Sequence, residues 1–373
     1  MEPLAHTLVG ACLSEAGLKR VTPLAASTLI IAANIPDIDG ACYLHSADLA
    51  FGFRRGLTHG VLAWVVLPVV LTAIMLAFDR LVRRRVAPGA TAARPGSLLW
   101  LSALGVLTHP LLDWLNNYGV RLLMPFSDRW FYGDTLFIVD PWLWVILGGA
   151  LMLACTDTRR GILLWTALAA ATTLLIALRP LVPPLSRVAW LIALAVLVLA
   201  RRTLSGTVRV RAAAGALVVA ALYVATMYAG SRAAERQVRD LVVQRGWIVE
   251  RVAAMPVPGD PFHRTVIAEA ATQYVLIPVT WMTRAVDTAG ITTEPRGTMN
   301  PVVEAALSLP RLQGTRRWLR FPSYQVIAGN DGGFRVIIRD ARFSVGTGPG
   351  YGRVAEVELD RTLKEKARSP ATP

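Results

Sequence analysis

The chain has 373 residues, of which 54% are hydrophobic and 17% are charged, and its formal net charge is +14. This composition is more apolar than that of an ordinary soluble enzyme and indicates an integral membrane protein. The three cysteines are widely spaced and form no CxxC pair, which excludes a disulfide scaffold and a zinc finger.

Eight apolar segments predict membrane helices, although several are shorter than the ~20 residues that a straight span needs. They cover residues 3–16, 22–35, 59–79, 98–115, 136–154, 162–178, 187–200 and 212–230. The first segment has no basic region before its apolar run, so we interpret it as a retained helix and not as a cleaved signal.

Most of the positive charge is carried by arginines, which cluster in alternate connections between these segments. The positive-inside rule places those connections in the cytoplasm. Residues 36–58, 116–135 and 179–186, and everything after residue 230, then lie outside. We expect membrane lipid as the partner of the arginines and no nucleic acid, because the basic residues lie between apolar runs.

The composition changes after Gly230. An amphipathic helix is followed by short alternating strands, including a hairpin at residues 330–333. The predicted fold is therefore mainly α, with a polytopic helical membrane domain at residues 1–230. A small extracytoplasmic α+β domain follows at residues 231–360, and residues 361–373 are expected to be a disordered tail.

His109 and Asp113 are four residues apart in an apolar predicted helix, so their side chains leave the same face one turn apart. Such groups are costly in an apolar segment unless they are paired, bound to a metal or facing water. The spacing suits one metal ion. A buried hydrogen bond between the two side chains, which would join two helices, is the alternative.

The predicted topology gathers further metal-ligating side chains at the same outer membrane depth, namely His6, Asp37, Asp39 and His59. Imidazole and carboxylate groups together are typical ligands of zinc, manganese or iron at hydrolytic sites. Together with His109 and Asp113, these residues provide enough ligands for two ions.

Four charged residues near these ligands have two interpretations each. Arg54 and Arg55 could bind a phosphate group, or they could extend to lipid headgroups at the interface. Asp134 and Asp140 could belong to the site, or they could cap the helix that follows them.

Three segments, NIPDIDG, RRGLTHG and THPLLDWLNNYGVRLLMPFSDRWFYGDTLFIVDP, closely resemble the YdjM-like family of predicted membrane-bound metal-dependent hydrolases. The resemblance is strong over residues 1–155 and continues weakly through MPVPGDPFHR and FRVIIRDARF. The order of the ligands also resembles that of zinc-dependent phospholipase C. No histidine lies between Pro110 and Phe262, so the third zinc of that pattern is not expected.

The resemblance implies a first ion surrounded by Asp39 or Asp37 together with His59, His109 and Asp113. It implies a second ion at His6, with Asp113 bridging the two. Zinc is the expected metal, and manganese and iron are the alternatives.

We therefore predict a metal-dependent hydrolase of the inner membrane, with Asp113, Asp39 and Arg55 as catalytic residues. The expected substrate is a phosphoester, with a lipid favoured, which a metal-activated water attacks at the outer face. Two other functions remain open. One is a structural metal site with an outer domain that binds a partner or senses envelope stress, and the other is a transporter whose His/Asp cluster is an ion pathway.

Overall fold

The computed structural model describes residues 1–156, 158–344 and 352–366, except the side chains of residues 206–210. The chain divides into two compact units. Unit 1 comprises Met1–Asp39, Arg55–Ala229 and Pro256–Pro261, and unit 2 comprises Gly40–Arg54, Gly230–Met255 and the chain from Phe262 onward. Residues 40–54 thus lie in unit 2 and residues 256–261 in unit 1. The predicted boundary at residue 230 had assigned residues 40–54 to the membrane domain and residues 256–261 to the α+β domain.

The described chain contains the following helices in order: α1 (Pro3–Glu15), α2 (Ala25–Ala32), α3 (Ala47–Phe53), α4 (Ala63–Val86), α5 (Pro95–Trp114), α6 (Pro141–Cys155), α7 (Arg159–Ala177), α8 (Pro184–Thr203), α9 (Gly206–Gln244), α10 (Pro301–Leu307) and α11 (Gln313–Trp318). Among these, α4, α5, α7, α8 and the Arg211–Gln244 part of α9 are long and apolar enough to cross a membrane. These helices support the prediction of a multi-pass membrane protein.

Several helices of unit 1 begin at a proline, where the missing backbone N–H costs nothing because the first turn has no partner for it. Pro3, Pro95, Pro141 and Pro184 each take this position. Asp140 caps α6, because its carboxylate accepts hydrogen bonds from the backbone N–H groups of residues 142 and 143 at 2.9 and 3.0 Å. The prolines and the Asp140 cap therefore define where these helices begin.

Helices α1 and α5 both pack closely against α2 at glycines. A Cβ atom added at Gly10 would lie 2.8 Å from the carbonyl oxygen of Leu29, and one at Gly105 would lie 2.5 Å from Cβ of Ala32. Both distances are shorter than van der Waals contact allows, so only glycine permits these approaches. Helix α5, which carries His109 and Asp113, and α1, which carries His6, are thereby held close to α2.

Two sheets are built mainly from residues of unit 2. The strands are β1 (Arg251–Val257), β2 (Asp260–Glu269), β3 (Gln273–Thr280), β4 (Ala285–Val286), β5 (Thr292–Pro295), β6 (Pro322–Ala328), β7 (Phe334–Asp340) and β8 (Arg353–Leu359). The first sheet has the order β1-β2-β3-β4, with β5 also paired to β3, and the second has the order β6-β7-β8. The predicted hairpin joins β6 to β7, where Ala328 pairs with Phe334.

The last turns of α9 pack on the first sheet through Ala234, Val238 and Val242, which are buried among strand residues. The predicted amphipathic helix is therefore present in unit 2, with its apolar face covered. Its small and β-branched residues suit the pleated surface on which they lie.

Residues 40–54 contribute α3 to unit 2. The carboxylate of Asp48 accepts hydrogen bonds from the backbone N–H groups of Gly314 and Thr315 at 3.1 and 2.7 Å, and the ring of Phe51 stacks on Trp318 at 4.6 Å. The carboxylate thus binds the first turn of α11, where a negative charge is favoured by the helix dipole.

The start of the predicted tail is held against the second sheet. The backbone N–H of Lys366 donates to the carbonyl of Glu358 at 2.9 Å, and Glu365 forms an isolated bridge with Leu359. Residues 361–366 therefore have a defined structure, in contrast to the predicted disorder. Residues 367–373 of that prediction lie outside the described part of the chain.

Candidate metal centre

Four side chains of unit 1 direct their ligand atoms at one point. Asp37 comes from the 3-10 segment after α2, His59 from the turn before α4, and His109 and Asp113 from successive turns of α5. One ligand atom from each lies within 4.8 Å of all the others. His109 and Asp113, whose i, i+4 spacing is visible in the sequence, therefore supply two of the four ligand atoms.

The distances within the cluster are those expected around a single small ion. Nε2 of His59 lies 3.2 Å from Oδ2 of Asp113 and 3.8 Å from Oδ1 of Asp37. Nε2 of His109 lies 3.6 Å from each of the same two oxygens. Ligands about 2.0–2.2 Å from a zinc ion in tetrahedral arrangement are separated by distances of this order.

The second nitrogen of His109 fixes the orientation and the tautomer of its ring. Nδ1 lies 2.6 Å from the carbonyl oxygen of Ala33, which can only accept a hydrogen bond. Nδ1 therefore carries a proton, and Nε2 is the nitrogen that can present a lone pair to the cluster. Metal-bound histidines in proteins are oriented by the same kind of contact.

The ring of His59 is oriented by a two-step relay. Nδ1 lies 2.9 Å from Oγ1 of Thr58, and that hydroxyl donates to Oδ2 of Asp39 at 2.7 Å. Because the hydroxyl proton is used on Asp39, the hydroxyl oxygen accepts from Nδ1 of His59. Nε2 is again the nitrogen that points at the cluster and can serve as a ligand atom.

Three atoms of the cluster are buried and have no hydrogen-bond partner among the described residues, namely Nε2 of His59, Nε2 of His109 and Oδ2 of Asp113. Buried polar atoms without partners are costly, and a native protein rarely keeps several side by side. Two imidazole nitrogens and two carboxylates are a donor set that suits zinc, manganese or iron. The residues present therefore fit a divalent ion.

The other carboxylate oxygen of Asp113 is already bound within the protein. Oδ1 accepts a hydrogen bond from a guanidinium nitrogen of Arg55 at 2.8 Å and also contacts the amino nitrogen of Met1. The Arg55 guanidinium donates further to Oδ1 of Asn116 at 2.9 Å and lies over the ring of Tyr118. Arg55 is 2% exposed, so the predicted phosphate-binding arginine is instead buried against Asp113.

Asp39 lies beside the cluster, and the four converging atoms do not include its oxygens. Its Oδ2 accepts a hydrogen bond from the backbone N–H of Arg55 at 2.8 Å in addition to the one from Thr58. Of the two acids that the resemblance offered for the first ion, the structure thus brings Asp37 to the ligand position. Asp39 holds the residues that orient His59.

His6 lies behind His109. The two rings stack with their centroids 3.7 Å apart and their planes 12° apart, and Nε2 of His6 lies 3.4 Å from Oδ1 of Asp113. The predicted second ion would have to bind at this oxygen, which Arg55 also contacts. The four-residue cluster by itself accounts for one ion, and the second ion stays a prediction.

Asp140, Asp134 and Arg54, the other candidate site residues from the sequence, are not among the four converging residues. Asp140 caps α6 with Oδ1, and its Oδ2 accepts a hydrogen bond from the hydroxyl of Tyr223 at 3.0 Å. Asp134 is buried in a left-handed backbone conformation, with φ of 50°. Arg54 belongs to unit 2, where its guanidinium lies 5.4 Å from the ring centre of Tyr43.

Thr58 is the contributor that we did not predict as a site residue. Thr58 immediately precedes His59 in RRGLTHG, and a hydroxyl next to a histidine can reach the ring nitrogen. The sequence therefore contained a signal for this contact. The contact with Asp39 is not predictable from the sequence, because the two residues are 19 positions apart.

Comparison with known proteins supports the resemblance. The family model described as YdjM inner membrane protein matches residues 1–183, which contain all residues of the cluster. The chain is also 29% identical over 111 residues to a Bacillus subtilis (strain 168) protein described as "Uncharacterized protein YfhP". That alignment covers 30% of each chain, so this chain spans under a third of that relative. No solved structure matches the chain.

Proposed function

Since residues 1–183 match the family model of the YdjM inner membrane protein, we propose that the protein is a membrane-bound, metal-dependent hydrolase. The observation that carries the proposal is the convergence of Asp37, His59, His109 and Asp113, with three unpartnered ligand atoms, inside an apolar helical unit. The proposed substrate is a phosphoester, with a lipid favoured, at the outer face of the membrane. The support for that substrate is the order of the ligands, which resembles phospholipase C.

A bound divalent ion would polarise a phosphoryl oxygen and lower the pKa of a coordinated water, which is the chemistry of known metal-dependent hydrolases. The chain's own residues prepare the site for it. Arg55 binds Oδ1 of Asp113 and so leaves Oδ2 facing the ligand position. Ala33 and Thr58 hold protons on the outer nitrogens of the two imidazoles, which keeps their inner nitrogens available.

A substrate would reach the site from the side of Asp37, which is the most exposed of the four residues. Its side chain is 12% exposed, whereas those of His59, His109 and Asp113 are 0% exposed. Catalytic zinc sites keep one position for water or substrate, and structural sites have four protein ligands. We propose that Asp37 is the metal-binding residue that an entering substrate would contact first.

A structural metal site is the second candidate, and the same coordination supports it. Four protein ligands, three of them fully buried, would complete a tetrahedral shell without water. In that case the ion would join α5 to the segments on either side of α3, and unit 2 would bind a partner or act as a sensor.

The test begins with the metal content of the full chain purified in detergent. We expect one zinc, manganese or iron per chain in the wild type and loss of the ion in His109→Ala. Two ions per chain would support the second ion at His6. A preparation that binds none of these metals, even after reconstitution, would overturn both candidates.

The second step separates the two candidates by activity. The wild type, Asp113→Ala and Asp79→Asn are assayed on a phosphodiester, a carboxylic ester and phospholipid vesicles. Asp79 is the control because it is a buried aspartate whose partners are Arg83 and Arg84. Turnover that is lost only in Asp113→Ala supports the hydrolase, whereas bound metal without turnover on any substrate supports the structural site.

A further inference from the structure

A cavity of about 550 Å³ lies between α1, α6, α7 and α8 of unit 1. Its walls are formed by apolar side chains, among them Leu4, Leu8, Trp144, Trp165 and Leu197. Its volume is within the ~300–1,000 Å³ range of small-molecule sites in proteins. The metal cluster contributes none of its four residues to this cavity.

The polar atoms in the cavity wall are largely occupied by bonds inside the protein. The indole N–H of Trp144 donates to Glu2 at 2.6 Å, and that of Trp190 donates to Thr173 at 2.9 Å. The hydroxyl of Thr172 donates to the carbonyl oxygen of Leu168 at 2.8 Å. These residues therefore present apolar surface to an occupant, which must itself be apolar along most of its length.

One part of the wall is strongly positive. Arg201 and Arg202, in the last turn of α8, both line the cavity. The guanidinium of Arg201 is held against the backbone carbonyl of Thr156, immediately after α6 ends, and this contact positions its charge. An apolar cavity with two adjacent arginines complements a molecule that has an acyl chain and an anionic head.

We propose that this cavity binds an anionic phospholipid, with one acyl chain between α1, α6, α7 and α8 and its phosphate at Arg201 and Arg202. The surrounding helices α7 and α8 are long and apolar enough to cross a membrane, so lipid is the available molecule of this chemistry. The site is separate from the metal cluster, and lipid binding does not depend on the proposed hydrolysis.

The binding test uses the full chain in detergent with a phosphatidylglycerol and a phosphatidylcholine that carry identical acyl chains. The wild type is expected to bind the anionic lipid more tightly. In the double variant R201Q/R202Q this preference should fall by roughly tenfold, since each basic residue contributes to attraction of an anionic headgroup. The matched control R159Q/R160Q removes two exposed arginines at the start of α7 that do not line the cavity.

A second pair of variants tests the apolar part. Ala169→Trp places a large ring in the cavity wall and should weaken binding of both lipids. Leu163→Trp is its control on the same helix, because Leu163 is 69% exposed and is not part of the wall. Equal binding of the two lipids by the wild type, or unchanged binding in both R201Q/R202Q and Ala169→Trp, would overturn the proposal.

Photo-crosslinking of the wild type keeps the test decisive even if a variant fails to fold. A phosphatidylglycerol with a diazirine in its acyl chain should label peptides that contain Met152, Trp165 or Leu194, all of which line the cavity. An excess of unlabelled phosphatidylglycerol should suppress this labelling. Labelling spread over the exposed faces of α7 and α8, without suppression, would show only general contact with lipid and would refute the site.

Discussion

Replacing Asp39 by asparagine tests whether this residue orients the ligands or is itself a ligand. The substitution keeps the shape of the side chain and removes its charge. Oδ2 accepts hydrogen bonds from the backbone of Arg55 at 2.8 Å and from Thr58 at 2.7 Å, and it lies 3.3 Å from Nδ1 of His59. An amide oxygen can still accept both hydrogen bonds, so we expect the metal site to assemble and to bind its ion more weakly.

The size of the effect follows from those two hydrogen bonds. A hydrogen bond to a charged group contributes about 1.5–3 kcal/mol and one between neutral groups about 0.5–1.5 kcal/mol. Loss of the charge in two bonds therefore weakens the contacts that orient His59 by about 2 kcal/mol, so the loss of metal affinity should be at most about 30-fold. Partners that orient metal ligands typically contribute about 10–100-fold to affinity, which agrees with this value.

The assay is a competition titration of the metal-free full chain with zinc and a chromogenic chelator. Wild type, Asp39→Asn and His109→Ala are compared, and Asp79→Asn is the control for loss of a buried carboxylate elsewhere in unit 1. An unchanged dissociation constant in Asp39→Asn would refute the relay through Thr58. Loss of binding as complete as in His109→Ala would show that Asp39 is a ligand.

Three further predictions concern stability and topology. Arg55→Gln should lower the free energy of unfolding by about 3–5 kcal/mol because it removes the guanidinium from a buried ion pair with Asp113, and thermal unfolding with and without zinc measures this. Asp340→Asn should destabilise unit 2 by a similar amount, because it removes one partner of the buried ion pair with Arg342, and limited proteolysis can follow the loss. Burial raises the pKa of the Asp340 carboxyl, but the charge and hydrogen bonds of Arg342, together with the backbone N–H groups of Arg320 and Arg342, hold the pKa below its ordinary value. The pair therefore stabilises the wild type above the unfolded pKa of about 3.9 and ceases to do so as the pH falls through the lower folded pKa, so Asp340→Asn should show a weaker acid dependence. A periplasmic reporter fused after Gly230 should be active if unit 2 is extracytoplasmic, and activity of a cytoplasmic reporter there would contradict that placement.

The interiors of the membrane helices were predictable because apolar runs mark them. Three of their starts were missed: the predicted segments begin at residues 98, 136 and 187, whereas α5, α6 and α8 begin at Pro95, Pro141 and Pro184, and a proline at the first helical position is a signal that the prediction did not use. The strand β3 was not predicted. Its residues form a nearly continuous apolar run that is buried on both faces, so the alternation that identifies a half-exposed strand is absent.

The helical part of the site was predictable and its loop part was not. His109 and Asp113 share a face of α5 because of their spacing, which is a local property of a helix. The choice between Asp37 and Asp39 depends on which carboxylate meets Thr58 and the Arg55 backbone, and both of these come from a later segment. Arg55 was interpreted as a phosphate-binding residue because the sequence cannot show that Asp113 would bind its guanidinium.

The close contact at Gly105 means that the metal centre depends on a residue with no functional group. Gly105 lies one turn before His109 on α5 and faces Ala32, the neighbour of the residue whose carbonyl oxygen orients the His109 ring. A single methyl group at position 105 would push α2 and α5 apart and stretch that 2.6 Å hydrogen bond. Random mutagenesis screened for metal content should therefore recover Gly105 substitutions alongside those of the ligands, although this glycine touches no ion.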